Sequence, residues 1–188
     1  MRIDGKVVLH KGKDLRYMTV QNRQVKIVEY DSEYREATEN LLVELEQYLI
    51  SLDEDRLDII GDGYKEKMLE YELSRIKRYN GKCLLAIRED SVIGMIMGIQ
   101  RKYLPEDYLD YSCPKAGIVT ELIIKDGYRG HSAGQILLQR MEEFFLENGC
   151  EYMFTDVFAY NTSALRFYEQ KGYHSRMHTI IKKLSLSL

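Results

Sequence analysis

The residues best suited to chemistry lie in and beside one glycine-rich turn. Gly127, Gly130 and Gly134 punctuate the turn, which separates a run rich in β-branched residues at 118–124 from apolar residues at helical spacing that begin with Ile136. A short turn that opens a helix leaves the first backbone N–H groups unpaired, at the positive end of the helix dipole. Such a helix start binds anions, above all phosphate. The pattern therefore predicts a ligand that carries phosphate.

The cysteines and histidines indicate no second site. Neither a disulfide framework nor a zinc site is predicted, because C-x-x-C spacing is absent from the cysteines Cys83, Cys113 and Cys150. We expect buried free thiols in a reducing compartment. For three histidines without the spacing of a metal site or a catalytic triad, we expect surface or packing roles: His131, His174 and His178.

Length and composition are those of one globular domain, residues 1–188. The chain is 45% apolar and 30% charged, and its 188 residues can bury a sizeable core. A net charge of −3 argues against non-specific nucleic-acid binding, which depends on contacts between cations and phosphates. The amino terminus lacks the apolar core of a signal peptide, and no run approaches the ~20 apolar residues of a membrane span. We therefore expect a cytoplasmic protein with no nucleic-acid or membrane partner.

Hydrophobic periodicity predicts the elements that position this turn. Before it we expect a strand, two amphipathic helices separated by an acidic loop, and two antiparallel strands, at residues 25–30, about 33–50, about 64–79, 83–88 and 92–100. Gly94 and Gly98, inside the second strand of that pair, predict a bulge or close packing. Residues 101–115 hold both prolines and are interpreted as a loop or flap.

The remaining elements complete one sheet with helices against it. After the turn we expect a helix that ends near residue 147, and then a strand, a short helix and a last strand at 152–158, about 162–170 and roughly 174–183. Residues 1–24 are interpreted as an N-terminal hairpin extension that pairs 6–9 with 17–20. Strands that alternate with helices around a central hairpin predict an α/β fold, with a mixed, mostly antiparallel twisted sheet flanked by helices.

Two motifs in the chain resemble those of the GNAT superfamily of N-acetyltransferases. Residues 128–134, Y-R-G-H-S-A-G, resemble its acetyl-CoA signature Gln/Arg-x-x-Gly-x-Gly/Ala, in which Arg129 and Gly134 match the ends. The second hallmark of the family is similar to residues 161–173, at Asn161, Ala164, Phe167, Tyr168, Gly172 and Tyr173. The element order over 25–184 also fits. The resemblance thus covers most of the chain and implies a GNAT-like acyl-CoA N-acyltransferase fold.

The resemblance implies acetyl-CoA as co-substrate and requires no metal. The pyrophosphate of CoA would lie on the backbone of the turn, at Arg129, Gly130, His131, Ser132, Ala133 and Gly134. Three residues of the preceding strand would lie beside the pantetheine arm and bind it through main-chain hydrogen bonds: Leu122, Ile123 and Ile124.

Two positions of these motifs need separate interpretation. Asn161 could contact the pantetheine, with Ala164 beside it, or cap the helix that follows, and these roles are compatible. Ser132 stands where the family usually has its first glycine, which lets the backbone approach the pyrophosphate without a Cβ in the way. Serine keeps the N–H and adds a hydroxyl that can reach a phosphate oxygen. Weaker or slightly shifted binding is the expected consequence.

Tyr168 is the candidate acid. Acetyl transfer to an amine expels a CoA thiolate, which leaves more easily when protonated, and a phenol with a pKa near ~10 can supply that proton. Tyr168 lies four residues after Ala164, on the same face of the short helix. The alternative is a packed core tyrosine, since Phe167 and Tyr173 show that aromatic residues are common here.

Glu121 is the candidate base. It is a carboxylate inside an otherwise apolar strand, beside the place that the resemblance implies for the acyl group. The attacking amine must be neutral, so a base that takes its proton directly or through water would assist the reaction. The alternatives are a charge on a solvated strand edge or one paired with a lysine. Asp156 and Tyr160 are weaker candidates for the base.

The expected reaction is direct transfer from acetyl-CoA to a primary amine in a ternary complex. The acceptor, a small molecule or a peptide, would lie near the acidic loop and the flap, whose carboxylates either attract a cation or form a solvated face: Asp53, Asp55, Glu106, Asp107 and Asp110. The alternative function is a non-catalytic acyl-CoA-binding sensor on the same fold. A nucleotide-binding domain is disfavoured, because neither G-x-G-x-x-G nor G-x-x-x-x-G-K-[ST] occurs. Homodimers are common in the family.

Overall fold

A computed structural model describes residues 18–20 and 23–184, with side chains from Val25 onward. Its helices are α1 (Arg35–Leu52), α2 (Tyr64–Arg78), α3 (Ala133–Glu147) and α4 (Thr162–Glu169). Its strands are β1 (Met18–Val20), β2 (Arg23–Glu29), β3 (Lys82–Arg88), β4 (Ser91–Gln100), β5 (Ala116–Ile124) and β6 (Tyr152–Thr155). Short 3-10 turns at Ser32–Tyr34 and Pro105–Leu109 precede α1 and interrupt the segment between β4 and β5.

The described strands form one sheet in their order along the chain. Each neighbouring pair is antiparallel except β5 and β6, which run parallel because α3 crosses over between them. The prediction of a mixed, mostly antiparallel sheet flanked by helices is confirmed. This crossover brings the start of α3 directly after the end of β5, where the glycine-rich turn lies.

The central hairpin of β3 and β4 forms where the sequence predicts it. Glu89 and Asp90 make its turn with φ of 50° and 59°, the left-handed conformation that a two-residue type I′ turn requires. Gly94 allows β4 and β5 to approach each other, because a Cβ at this position would lie 2.7 Å from the carbonyl oxygen of Ile123. Both predicted features are found at Gly94: it packs closely against β5, and a bulge at Ile93 adjoins it, because Val92 and Gly94 pair with consecutive residues of β3.

A β-bulge at Thr120 interrupts the pairing of β5 with β4. Val119 and Glu121 pair with consecutive residues of β4, so Thr120 is the extra residue. Thr120 hydrogen-bonds Glu72 of α2, and the charge of Glu72 also acts on Glu121. The bulge thus turns two consecutive side chains of β5 toward α2, where regular alternation would separate them.

Helices cover both faces of the sheet and divide the core in two. On one face α3 and α4 pack against β3, β4 and β5, with Leu137, Met141 and Phe145 fully or almost fully buried. On the other face α1 and α2 pack against the same strands, with Leu41 and Leu69 at the centre. Because β3 and β4 have buried side chains on both faces, their sequences are almost continuously apolar.

The predicted last strand, at roughly 174–183, is wrong. Residues 174–184 form no helix or strand and are exposed, with Ile180 93% and Leu184 85% accessible. The β-branched residues of this segment suggested a strand, but β propensity measures how well a residue fits a pleated, half-buried surface. A strand also needs a neighbour for its backbone hydrogen bonds, and this segment pairs with none of the described strands.

The predicted N-terminal hairpin is only partly within the described residues. Met18–Val20 is a strand, as expected for 17–20, and it pairs with β2 so that Met18 lies opposite Val25. Residues 6–9, the predicted partner, lie outside the described residues.

Candidate active site

The C-terminal half of β5 has an open edge on the side of β6. Parallel pairing with β6 ends at Val119, whereas β5 continues to Ile124. Because the N–H of Lys125 donates to the Ile93 carbonyl of β4, the main-chain groups of the alternate residues Leu122 and Ile124 point away from β4. β5 therefore presents main-chain hydrogen-bonding groups beyond the end of β6.

Ile123 does not share this position. It pairs with Met95 of β4, and its side chain is 4% exposed in the core beneath α1 and α2. Of the three strand residues predicted beside the pantetheine, Leu122 and Ile124 have main-chain groups at the open edge. The main-chain groups of Ile123 point toward β4.

The turn after β5 leads into α3 without a side-chain cap. Ser132 is the N-cap residue, but its hydroxyl donates to the His131 carbonyl at 2.6 Å and accepts no hydrogen bond from α3. The N–H of Ile136 donates to the Ser132 carbonyl, whereas those of Ala133 and Gly134 have no acceptor among the described residues. Free N–H groups at the positive end of a helix dipole are the arrangement that an anion site needs.

The conformation of Ser132 explains why glycine is usual at this position. Ser132 has a φ of 62°, in the left-handed region that Gly130 also adopts with 78°. Glycine takes this conformation freely, whereas for other residues it costs roughly 1–2 kcal/mol. The sequence interpretation considered only the room that a glycine leaves for the ligand. Backbone conformation is a second reason.

Tyr48 of α1 connects the turn to the start of α4. The guanidinium of Arg129 lies 5.0 Å from the centre of the Tyr48 ring, and the Arg129 Nε donates to the Ile124 carbonyl at 3.1 Å. The Tyr48 hydroxyl donates to Oδ1 of Asn161 at 3.2 Å. Helical spacing places Tyr48 on the apolar face of α1 and carries no sign of this contact across the fold.

Asn161 caps α4, as one of its two predicted roles requires. It is 8% exposed, and its Oδ1 accepts from the N–H of Ala164 at 3.1 Å and from the Ser163 hydroxyl at 2.9 Å. Its Nδ2 makes no hydrogen bond to a described residue. The carbonyl end of the side chain is therefore committed to the helix, and the amide nitrogen remains free for a ligand.

Tyr168 lies in an aromatic cluster. It is 7% exposed, and its ring meets those of Phe167 and Tyr173 edge to face at centroid distances of 5.3 Å and 5.2 Å. Burial raises the pKa of Tyr168, the side chain of Thr155 at the end of β6 partly offsets this, and the charge of Glu121 raises it further. The phenol is therefore packed in the core and protonated at neutral pH, within range of the Glu121 charge.

Glu121 lies among other carboxylates. Burial raises the pKa of Glu121 to about 8, with further contributions from the charges of Glu72 and Glu46 and an opposing one from Arg75. The predicted alternatives, a solvated edge or a lysine partner, do not fit, since Glu121 is largely buried and forms no ion pair with a described residue. A carboxylate with this pKa accepts a proton close to neutral pH.

Glu72 and Glu46 are the residues that sequence reasoning missed. Glu72 of α2 is 1% exposed, and it accepts from Thr120 Oγ1 at 2.9 Å and from Arg75 Nη1 at 2.7 Å. Glu46 of α1 accepts from the Tyr64 hydroxyl at 3.1 Å. A signal for Glu72 existed, because it is a carboxylate on the apolar face of α2.

Two carboxylates of the acidic loop and the flap organise their own segments. Asp53 accepts the N–H of Asp58 at 2.8 Å and that of Asp55 at 3.0 Å, and these backbone hydrogen bonds lower the pKa of Asp53. Asp107 accepts the N–H of Leu104 at 2.7 Å. The structure thus favours loop-forming roles for Asp53 and Asp107 over the attraction of an amine.

The other residues considered at the sequence level make no hydrogen bond to the side chain of Glu121 or Tyr168. Nδ1 of His131 lies 2.8 Å from the Arg129 carbonyl oxygen within the turn. Four further side chains are exposed: Asp156, Tyr160, His174 and His178. Across residues 25–184, no group of three His, Cys, Asp or Glu side chains is placed to hold a metal ion. None of the described helices combines the length and the apolar character that crossing a membrane requires.

Solved structures of other proteins share the fold at low sequence identity, among them the following three. A transcriptional regulator from Bacillus halodurans C-125 has a TM-score of 0.63 and 18% identity, over 85% of this chain and 99% of its own. An aminoglycoside N-acetyltransferase in complex with CoA has a TM-score of 0.66 and 14% identity, over 90% of this chain and 100% of its own. An acetyltransferase of the GNAT family from Staphylococcus aureus Mu50 has a TM-score of 0.60 and 19% identity, over 79% of this chain and 83% of its own. No curated protein matches the chain in sequence.

The family follows from the sequence itself. The family model described as "Acetyltransferase (GNAT) family" matches residues 43–173. This range begins within α1 and contains the open edge of β5, the turn into α3, and α4 with Tyr168. The chain therefore belongs to the GNAT family of acetyltransferases.

Proposed function

We propose that this protein transfers the acetyl group of acetyl-CoA to a primary amine by direct attack within a ternary complex. One observation carries the proposal: four features occur together around the end of β5. They are an open strand edge, a helix start without a side-chain cap, a buried phenol and a carboxylate with a pKa of about 8. Acetyl transfer needs a feature of each kind.

The proposed CoA site uses backbone groups more than side chains. The pyrophosphate lies on residues 129–134, where the free N–H groups of Ala133 and Gly134 and the dipole of α3 favour an anion. The pantetheine runs along the open edge of β5 and bonds to the main chain of Leu122 and Ile124. Asn161, through its free amide nitrogen, and the adjacent Ala164 supply contacts on the other side.

In the proposed mechanism Glu121 and Tyr168 have opposite tasks. Glu121 takes a proton from the amine, directly or through water, so that the nitrogen lone pair can bond to the thioester carbonyl carbon. Main-chain N–H groups of β5 polarise the carbonyl oxygen. As the bond between carbon and sulfur breaks, Tyr168 gives its proton to the departing sulfur. The products are an amide and CoA in its thiol form.

Glu72 and Glu46 act as positioning residues in this scheme. Burial is the main cause of the raised pKa of Glu121, and the negative charges of Glu72 and Glu46, held in place by Arg75 and Tyr64, raise it further, so that Glu121 is a stronger base than an exposed carboxylate. Neither needs to touch the substrate for this effect.

Replacement of Tyr168 by phenylalanine tests the acid. We expect Tyr168→Phe to lower kcat by about 10²-fold, because the proton donor to the sulfur is lost while the ring packing remains. The affinity for acetyl-CoA should stay within about twofold, measured by calorimetry beside a thiol-release assay. Tyr173→Phe is the matched control, since Tyr173 belongs to the same cluster but its hydroxyl donates to Glu142 at 3.1 Å. Unchanged turnover in Tyr168→Phe would refute the assignment.

A non-catalytic acyl-CoA-binding sensor is the second candidate. One structure that shares the fold is described as a transcriptional regulator and not as a transferase. A pure binder needs neither an acid nor a base beside the acyl group, which favours the enzyme. Tight CoA binding without thiol release over a broad panel of amines would favour the sensor.

The acceptor is proposed to be a small-molecule or peptide amine. An aminoglycoside N-acetyltransferase among the structures of the same fold is an example of an enzyme that acts on amines. A cytoplasmic location, the lack of nucleic-acid and membrane partners, and a homodimer complete the proposal. Light scattering of the purified protein would test the homodimer.

A further inference from the structure

Tyr48 of α1 contacts residues that belong to two different parts of the proposed CoA site. The Arg129 guanidinium, at the first residue of the pyrophosphate turn, lies over the Tyr48 ring at 5.0 Å from its centre. The Tyr48 hydroxyl lies 3.2 Å from Oδ1 of Asn161 and 3.3 Å from Oγ of Ser163, at the start of α4. A single side chain of α1 thus touches both the turn and the helix between which the cofactor is proposed to bind.

Two contacts fix the guanidinium of Arg129. Its Nε donates to the Ile124 carbonyl at 3.1 Å, and the Tyr48 ring supports the group from the other direction. These contacts use one N–H, and the four N–H bonds of Nη1 and Nη2 have no acceptor within residues 25–184. A pair of such groups binds two phosphate oxygens at once. Arg129 is therefore a charged donor that is oriented but has no anion.

The exposed position of Arg129 gives these contacts their importance. An unsupported arginine samples many rotamers in water and loses this freedom when it binds a phosphate, which weakens the binding. The ring of Tyr48 restricts Arg129 before the ligand arrives. Tyr48 is itself held, because it is half-buried and its hydroxyl is bonded to the start of α4. The order of the guanidinium thus derives from the packing of α1.

We propose that Tyr48 is a positioning residue for CoA, which holds Arg129 so that Nη1 and Nη2 bind the pyrophosphate. The inference rests on the proposed function and deepens it, since the CoA site proposed above binds the pyrophosphate through the backbone. The guanidinium adds a full positive charge to the N–H groups of Ala133 and Gly134. Tyr48 needs no contact with the cofactor for this effect.

Calorimetric titration with CoA, in the absence of an amine, tests the proposal. Tyr48→Leu should bind CoA about fivefold more weakly, because the ring that orients Arg129 is lost. Tyr48→Phe keeps the ring and should stay within about twofold of the wild type. Tyr71→Leu is the matched control and should keep the wild-type affinity, since Tyr71 supports Arg75 in the same way at 5.3 Å but on α2. Equal affinity of Tyr48→Leu and the wild type, or equal losses in Tyr48→Leu and Tyr48→Phe, would overturn the inference.

A double-mutant cycle shows whether Tyr48 acts through Arg129. Arg129→Gln alone should weaken CoA binding about tenfold, because a charged contact with phosphate is lost. In the Arg129→Gln background, Tyr48→Leu should cause no further loss, since the ring then has no guanidinium to orient. Thermal melts check that each variant is folded. A role of Tyr48 in packing alone predicts two losses that add, so additive losses contradict the proposal.

Binding and turnover together separate this inference from the proposed function. CoA affinity that depends on Tyr48 as expected, without thiol release from acetyl-CoA over a broad panel of amines, supports the inference and refutes the acetyl transfer. Thiol release with a CoA affinity that does not depend on Tyr48 supports the transfer and refutes the inference. An absence of CoA binding to the wild type overturns both.

Discussion

At the scale of single residues, the chemistry depends on a carboxylate whose protonation changes near neutral pH. Burial and the charges of Glu72 and Glu46 raise the pKa of Glu121 to about 8, from an ordinary value of 4.5. The same burial that makes it a stronger base also costs stability when it is ionised. Glu121 therefore links activity and stability to pH.

Glu121→Gln should alter the dependence of stability on pH. In the wild type the folded pKa lies above the unfolded one, so the stabilising effect of protonated Glu121 is full below pH 4.5 and is lost as pH rises through about 8. We expect the Tm of the wild type to fall more than that of Glu121→Gln between about pH 5 and pH 9. Circular-dichroism melts over this range measure the difference. Glu147→Gln, at an exposed position of α3, is the control.

Activity should depend on pH in the direction opposite to stability. A base must be deprotonated, so kcat/KM of the wild type should rise with pH through about 8. Glu121→Gln should lose this rise of kcat/KM with pH and most of the turnover. Parallel melting curves and an unchanged pH profile would remove Glu121 from the mechanism.

At the scale of elements, the strand, turn and helix from β5 to α3 form the proposed CoA site. β5 extends beyond the end of β6 and leaves main-chain groups without a strand partner, and α3 starts without a side-chain cap. Unpaired backbone groups are costly when buried and empty, and they are satisfied when a ligand supplies the partners. Incomplete secondary structure is thus what makes this region suited to binding.

Ser132→Gly should stabilise the protein. Glycine adopts the φ of 62° without the steric cost that serine bears, so we expect the free energy of unfolding to rise by about 1 kcal/mol. Urea unfolding measures the change, and calorimetry should show CoA affinity equal to or tighter than that of the wild type. Ser74→Gly, inside the helix α2, is a control with the opposite sign and should cost roughly 0.5–1 kcal/mol. A loss of stability in Ser132→Gly would contradict this account of the turn.

At the scale of the whole molecule, one sheet fixes the relative position of two helical layers on its opposite faces. The α1–α2 layer carries Glu46 and Glu72, the α3–α4 layer carries the turn and Tyr168, and Glu121 lies on the strand between them. β3 and β4 form the shared centre, with side chains buried on both faces. The relative position of the acid and the base therefore depends on the packing of both cores.

Leu85→Ala tests the contribution of this shared centre. Leu85 of β3 is fully buried in the α1–α2 core, so we expect a loss of about 2–5 kcal/mol in the free energy of unfolding. Leu146→Ala, on the surface of α3 with 69% exposure, should cost less than about 0.5 kcal/mol. Urea denaturation compares the two. Similar losses in both variants would show that the centre of the sheet is less important than its burial indicates.

Local patterns in the sequence were sufficient to predict most helices and strands and to identify the family. Apolar periodicity located the helices, two neighbouring apolar runs predicted the central hairpin, and the two motifs identified a GNAT chain. These features succeed because each depends on residues close together along the chain. The strand predicted at roughly 174–183 failed for the complementary reason, since a strand exists only beside a partner.

By itself, the sequence determined the order of the elements from β2 to α4, the glycine-rich turn and the identity of Tyr168 and Glu121 as candidates. Only the tertiary structure decided that the charges of Glu72 and Glu46 lie near Glu121 and that Tyr48 joins Asn161 to Arg129. The physical reason is that burial and the distance between charges set a pKa or a binding preference. Both quantities arise when helices distant in sequence pack on the same strand.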